Sequence, residues 1–166
     1  MNTSNTKGAF NLTSHKKSIL SESFSFQQFT GTVDLGGGPS TCEDDIATHA
    51  LVFMINVVNS RWKMPIGYFF VAGLSGLELS NLTRMAIEKL NSTGIIVMNV
   101  VCDNPTNNWS MLNHLGANLY SSDPRVCLGI KNNLQVPIFT ILDVCHLIKV
   151  VCNCFGDYKN LYTADN

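Results

Sequence analysis

Two carboxylates stand where apolar runs stop. Residues 95–102 are apolar at nearly every position and meet Asp103, which is followed by Asn104-Pro105-Thr106-Asn107-Asn108. Residues 136–142 form a second such run and meet Asp143, followed by Val144-Cys145-His146. A strand apolar on both faces belongs in the middle of a parallel α/β sheet. Open sheets of that kind bind ligands just outside the carboxyl ends of their strands. Right-handed crossovers place the two strands parallel and close together. Acids at both ends could then share a divalent cation, and hard oxygen ligands suit Mg²⁺ or Mn²⁺. A pair of such ions clamps the attacking and leaving oxygens in phosphodiester cleavage. Each acid also has a purely structural reading. Asp-Asn-Pro is strong turn chemistry, and Asp143 is placed to cap a helix through the amides of Cys145 and His146.

Other reactive groups carry less. His146 adjoins Cys145, but neighbours on a helix point about 100° apart and do not pair. Cys145, His146, Cys152 and Cys154 lack the paired spacing of a zinc site. Gly36-Gly37-Gly38 has neither the GxGxxG pattern nor a helix opening on it, which weakens a nucleotide-binding reading. The six cysteines form no CxxC pair and read mostly as small buried hydrophobes.

The elements that must position these acids follow from periodicity and punctuation. Residues 1–27 read as a polar, poorly ordered segment. Phe24-x-Phe26 and Phe29-x-x-x-Val33 suggest a short strand ending at Asp34, before the glycine run. Residues 50–58 and 63–71 read as two strands of a hairpin turned at Asn59-Ser60-Arg61, with Pro65 suiting an edge. Ser75-Gly76-Leu77-Glu78 fits a capping box. The helix it opens runs to about Leu90, with Leu79, Leu82, Met85, Ala86, Lys89 and Leu90 as its stripe and Gly94 as its stop. Residues 107–115 form a short helix closed by Gly116. Residues 120–135 read as a polar loop, and a helix begins near Cys145. The sum is a mixed α/β sheet with helices on its faces.

Composition bounds the rest. The chain has 166 residues, 45% of them hydrophobic and 14% charged, with a net charge of −1. That suits a single folded domain and argues against global disorder. It lacks the dense Lys/Arg footprint of a basic nucleic-acid-binding domain. No run reaches the roughly 18 apolar residues of a membrane span, and no secretory signal is visible near Met1.

Three segments together carry a resemblance. They are Arg61-Trp62-Lys63-Met64-Pro65-Ile66-Gly67-Tyr68-Phe69, then Val101-Cys102-Asp103 with Asn108 and Leu115-Gly116-Ala117, then Leu142-Asp143-Val144-Cys145-His146-Leu147-Ile148-Lys149. In this order they resemble the RNase H-like domain of P-element-type transposases, including the vertebrate THAP-domain relatives. Thr32-Val33-Asp34-Leu35-Gly36 matches a further strand of that family. The resemblance implies an RNase H-like fold over residues 28–156, with 157–166 as a tail. It also implies a nuclear protein acting on DNA and a Mg²⁺-dependent acidic triad. Asp103 matches the second triad carboxylate. Asp143, Cys145, His146 and Lys149 match a family segment on the strand and helix that follow, for which the resemblance implies structural support of the active site.

The departures shape the functional expectation. The slot for the family's first carboxylate falls around Asn11 to Ser14, where no Asp or Glu stands, and Asp34 is a second-best substitute. The third carboxylate, a Glu, lies well downstream in the family, and this chain stops at Asn166. The Cys-Asp-Gly common in relatives is Cys-Asp-Asn here. The expectation is therefore an incomplete RNase H-like domain, inactive alone, that holds one sure triad acid. The alternative is a non-catalytic module that meets a protein partner or another copy through exposed apolar surface.

Overall fold

A computed structural model describes residues 9–18, 33, 46–103, 105–119 and 121–158. Asp34, the glycine run and the strand expected before Asp34, apart from Val33, lie outside the described residues. The described chain forms β1 (Ala9–Ser18), β2 (His49–Val57), β3 (Lys63–Val71), α1 (Gly76–Ser92), β4 (Ile96–Cys102), α2 (Thr106–His114), β5 (Cys127–Lys131), β6 (Pro137–Leu142) and α3 (Val144–Tyr158). The six strands lie in one mixed sheet in the order β3-β2-β1-β4-β6-β5.

β4 takes the central place its apolar run demands. It is parallel to β1 on one side, with Leu12 opposite Val100, and to β6 on the other, with Cys102 opposite Leu142. β2 and β3 form the expected hairpin, and β3 is an edge strand, the position in a sheet that tolerates Pro65.

One face of the sheet carries the core. Leu12, Leu51, Phe53, Ile55, Val100, Cys102 and Ile138 point there, against Leu79, Leu82, Ile87 and Leu90 of α1 and Met111 and Leu112 of α2. The apolar stripe of α1 is rotated from the expected one. Ile87 is fully buried and Thr83 buried beside it, while Met85 is half exposed and Lys89 faces solvent. Met85 thus lies on the rim of the helix rather than its packed face.

The ends of α1 match the sequence reading. The Ser75 amide donates to the Glu78 carboxylate at 2.7 Å, and the Glu78 amide donates to the Ser75 hydroxyl at 3.2 Å. The Ser75 backbone bond, then the Ser75 hydroxyl, hold the Glu78 carboxyl below its ordinary value of 4.5. A lowered folded pKa adds stability above the unfolded value, so this contribution fades as pH falls below 4.5. Gly94, at φ 82°, ends the helix.

α1 and α2 meet at Gly76. A Cβ placed there would overlap Oγ and Cβ of Ser110 and stand 3.0 Å from the Met111 amide nitrogen. Gly76→Ala is expected to destabilise the fold by about 1–3 kcal/mol, the range for overpacking a close contact. Denaturant titration checks it, and the loss should shrink in a Ser110→Gly background, where the struck side chain is gone.

Four sequence expectations need correction. β1 lies inside the segment read as poorly ordered. Two of its polar side chains are paired within the sheet: the Asn99 amide donates to Asn11 Oδ1 at 2.7 Å, and the Asn56 amide to Thr13 Oγ1 at 3.1 Å. The loop at 120–135 contains β5, which pairs antiparallel with β6. β6 is not buried on both faces, since Phe139 and Ile141 are 40% and 43% exposed. The cysteines are not mostly buried: Cys102 is, but Cys145, Cys152 and Cys154 are exposed on α3, which extends past residue 156.

Candidate functional site at the carboxyl end of β4

Asp103 stands immediately after the last residue of β4, at the carboxyl edge of the sheet. α2 begins three residues later, and its side chains fix the acid. The Asn108 amide donates to Asp103 Oδ1 and also reaches the Asp103 carbonyl at 3.2 Å. Asn108 is itself buried. The Asn107 amide donates to the Leu74 carbonyl at 2.8 Å, which ties the start of α2 to the approach to α1. Asp103 thus sits in the turn between β4 and α2, held in one orientation by Asn108.

A cavity of about 100 Å³ opens beside it, lined by Ser14, Leu51, Leu74, Leu79, Asp103 and Asn108 among others. Ser14 comes from β1, one residue past the Thr13–Val101 register pair. The slot where the resemblance puts a first carboxylate therefore does sit on the strand beside β4. It holds Asn11, Leu12, Thr13 and Ser14, of which Leu12 is core, Thr13 and Ser14 are buried, and Asn11 is bonded to Asn99.

β6 delivers Asp143 next to Asp103. The Asp143 amide donates to the Cys102 carbonyl at 2.8 Å, continuing the β4–β6 ladder. The Asp143 carboxylate turns toward α3, where Oδ1 accepts from the amides of Cys145 at 2.9 Å and His146 at 3.2 Å. That is an N-cap. His146 is half-buried and Lys149 exposed, both on α3. Sequence reasoning noted Asn108 only as part of a motif. Its hold on Asp103 has no local signal, since it depends on how α2 enters after Pro105.

Among the described residues, no three His, Cys, Asp or Glu side chains come together in a way that could hold a metal ion. One Asp103 oxygen is taken by Asn108 and one Asp143 oxygen by the α3 amides. The described residues do not fit a two-metal centre.

Cys102, just before Asp103, is 1% exposed. Burial first, and the Asp103 charge second, push its thiol up to about 12. At neutral pH it is a protonated, enclosed thiol and a poor nucleophile. Brief maleimide treatment of the folded chain, read by peptide mass, is expected to modify Cys145, Cys152 and Cys154 and spare Cys102 until denaturant is added.

A mixed sheet whose central strand runs parallel to both neighbours, ends in an oriented carboxylate and is extended by an antiparallel hairpin defines an RNase H-like α/β domain. The chain belongs to the TNP-like, RNase H N-terminal domain family, whose model matches residues 13–116. It is 27% identical over 132 residues to the human DNA transposase THAP9, a match covering 79% of this chain and 15% of that protein. A chain of the Drosophila P element transposase strand transfer complex shares the fold, with a TM-score of 0.62 and 18% identity, over 91% of this chain and 30% of that one. This chain therefore spans a minor part of the length of each.

Proposed function

We propose that this chain is an RNase H-like unit of P-element-type transposase descent, acting on DNA in the nucleus, that does not cut DNA by itself. The observation that carries this reading is the occupancy of two adjacent strand positions. Asp103 ends β4 as a triad acid would, while the neighbouring slot on β1 holds Asn11, Leu12, Thr13 and Ser14. Two divalent ions clamping a phosphodiester need several carboxylates to offset their charge, and one oriented acid does not supply them. Asp143 serves in this reading as the cap that fixes α3 beside Asp103, while His146 and Lys149 support that helix start and Asp34 remains a candidate substitute for the first acid. The DNA role rests on family membership and on the human relative, a DNA transposase.

The purified chain incubated with supercoiled plasmid and Mg²⁺ or Mn²⁺ is expected to leave the plasmid uncut, and the divalent ions are expected not to raise its melting temperature. Metal-dependent nicking that disappears in Asp103→Ala would overturn the proposal. A second reading, a protein-interaction module, is favoured by the exposed apolar side chains of α3.

A further inference from the structure

α3 wears its apolar stripe on the outside. Val144, Ile148, Val151 and Phe155 recur at steps of four, three and four, which puts them on one side of the helix. They are 59%, 58%, 52% and 54% exposed. His146, Lys149, Asn153 and Asp157 recur on the opposite side, and the partly covered positions of the helix are His146 and Leu147. An ordinary surface helix turns its apolar stripe inward. Here the described domain leaves that stripe to solvent.

We propose that α3 pairs with α3 of a second copy of this chain through Val144, Ile148, Val151 and Phe155. Alternating steps of three and four are the spacing of a two-helix seam, and branched Val and Ile side chains pack well at such positions. The seam carries no charge, so two copies meet without repulsion, and Lys149 and Asp157 lie away from it. Joining two seams with their exposed flanks, Cys152 and Cys154, would bury on the order of 1,000 Å² in total, the lower bound for a specific interface, so the expected association is weak and reversible. The same patch serves both copies, so the pair closes on a two-fold axis and does not grow. This pairing does not depend on the role given to Asp103.

Sedimentation equilibrium of the whole chain, with reductant to keep the exposed cysteines from cross-linking, tests it. The expected result is a reversible monomer–dimer equilibrium across the micromolar range. The double variant Ile148→Glu/Val151→Glu should be monomeric there while keeping the circular dichroism of the folded domain, because both sites are exposed. A second variant, Tyr68→Ser/Phe70→Ser, alters the exposed aromatic pair on β3 and should leave the dimer intact. A wild-type chain that stays monomeric, a dimer that survives the α3 substitutions, one lost only through Tyr68 and Phe70, or open-ended assembly would overturn the proposal.

Discussion

Phe53→Ala is expected to destabilise the domain by about 3–5 kcal/mol, the usual cost of emptying a buried aromatic site. Phe53 is 1% exposed in the middle of β2 and meets the ring of Phe69 edge-on, with centroids 6.0 Å apart and planes at 86°. It also forms part of the wall of a groove of about 680 Å³ between the β2–β3 hairpin and α1. Truncation therefore removes transfer energy and the ring pair, and deepens the groove that Leu82 and Leu90 also line. Equilibrium urea unfolding gives the magnitude. In a Phe69→Ala background the Phe53 loss should be smaller by about 0.5–1.5 kcal/mol, the value of an aromatic pair.

Asn132→Ala is expected to cost about 2–4 kcal/mol, since each buried group left without a partner costs roughly 1–3 kcal/mol. Asn132 is 1% exposed at the turn between β5 and β6. Its side-chain oxygen accepts from the amides of Leu134 at 3.0 Å and Val136 at 3.1 Å, and its amide donates to the Val97 carbonyl at 3.3 Å. One side chain thus shapes the turn, including Gln135 at φ 60°, and anchors it to β4. Asn132→Asp separates these roles. It keeps the two accepted bonds and faces the Val97 carbonyl with a carboxylate in place of a donor. Burial raises the folded pKa of such an acid above the unfolded value near 3.9, so the stability of the protonated form, which can donate, is fully present below about 3.9 and is lost as pH rises toward the folded value. The aspartate variant should approach wild-type stability in acid and fall away as pH rises, a profile that thermal melts across pH would read.

Much of the scaffold was legible because local chemistry and tertiary demand agree. The run before Asp103 has no polar face to offer solvent, and it became the central strand. Ser75 and Glu78 satisfy the first turn of α1 with side chains three residues apart, so no distant contact is needed to place that start. β5 was hidden because five residues, Cys-Leu-Gly-Ile-Lys, with a glycine at the centre give almost no alternation to read. β1 was hidden for another reason. Its polar residues look solvent-bound until Asn11 and Thr13 are seen bonded to Asn99 and Asn56, partners 88 and 43 positions away. The direction in which α3 turns its stripe has no sequence signature, since periodicity marks a face and not what it meets. At the site, the strand-end position of Asp103 and the cap formed by Asp143 were both readable. The hold of Asn108 on Asp103 was not, because it depends on how α2 enters.

The place of β1 between β2 and β4 also sets a clock. The β2–β3 hairpin is local and can close early, but β1 joins the two halves of the sheet and its parallel partner is made more than 80 residues later. Closing a loop of that length carries its entropy cost before the contacts repay it. During synthesis, β1 can gain its antiparallel neighbour first and must present a bare hydrogen-bonding edge until β4 leaves the ribosome. That interval is when the nascent chain is most open to pairing with the wrong strand.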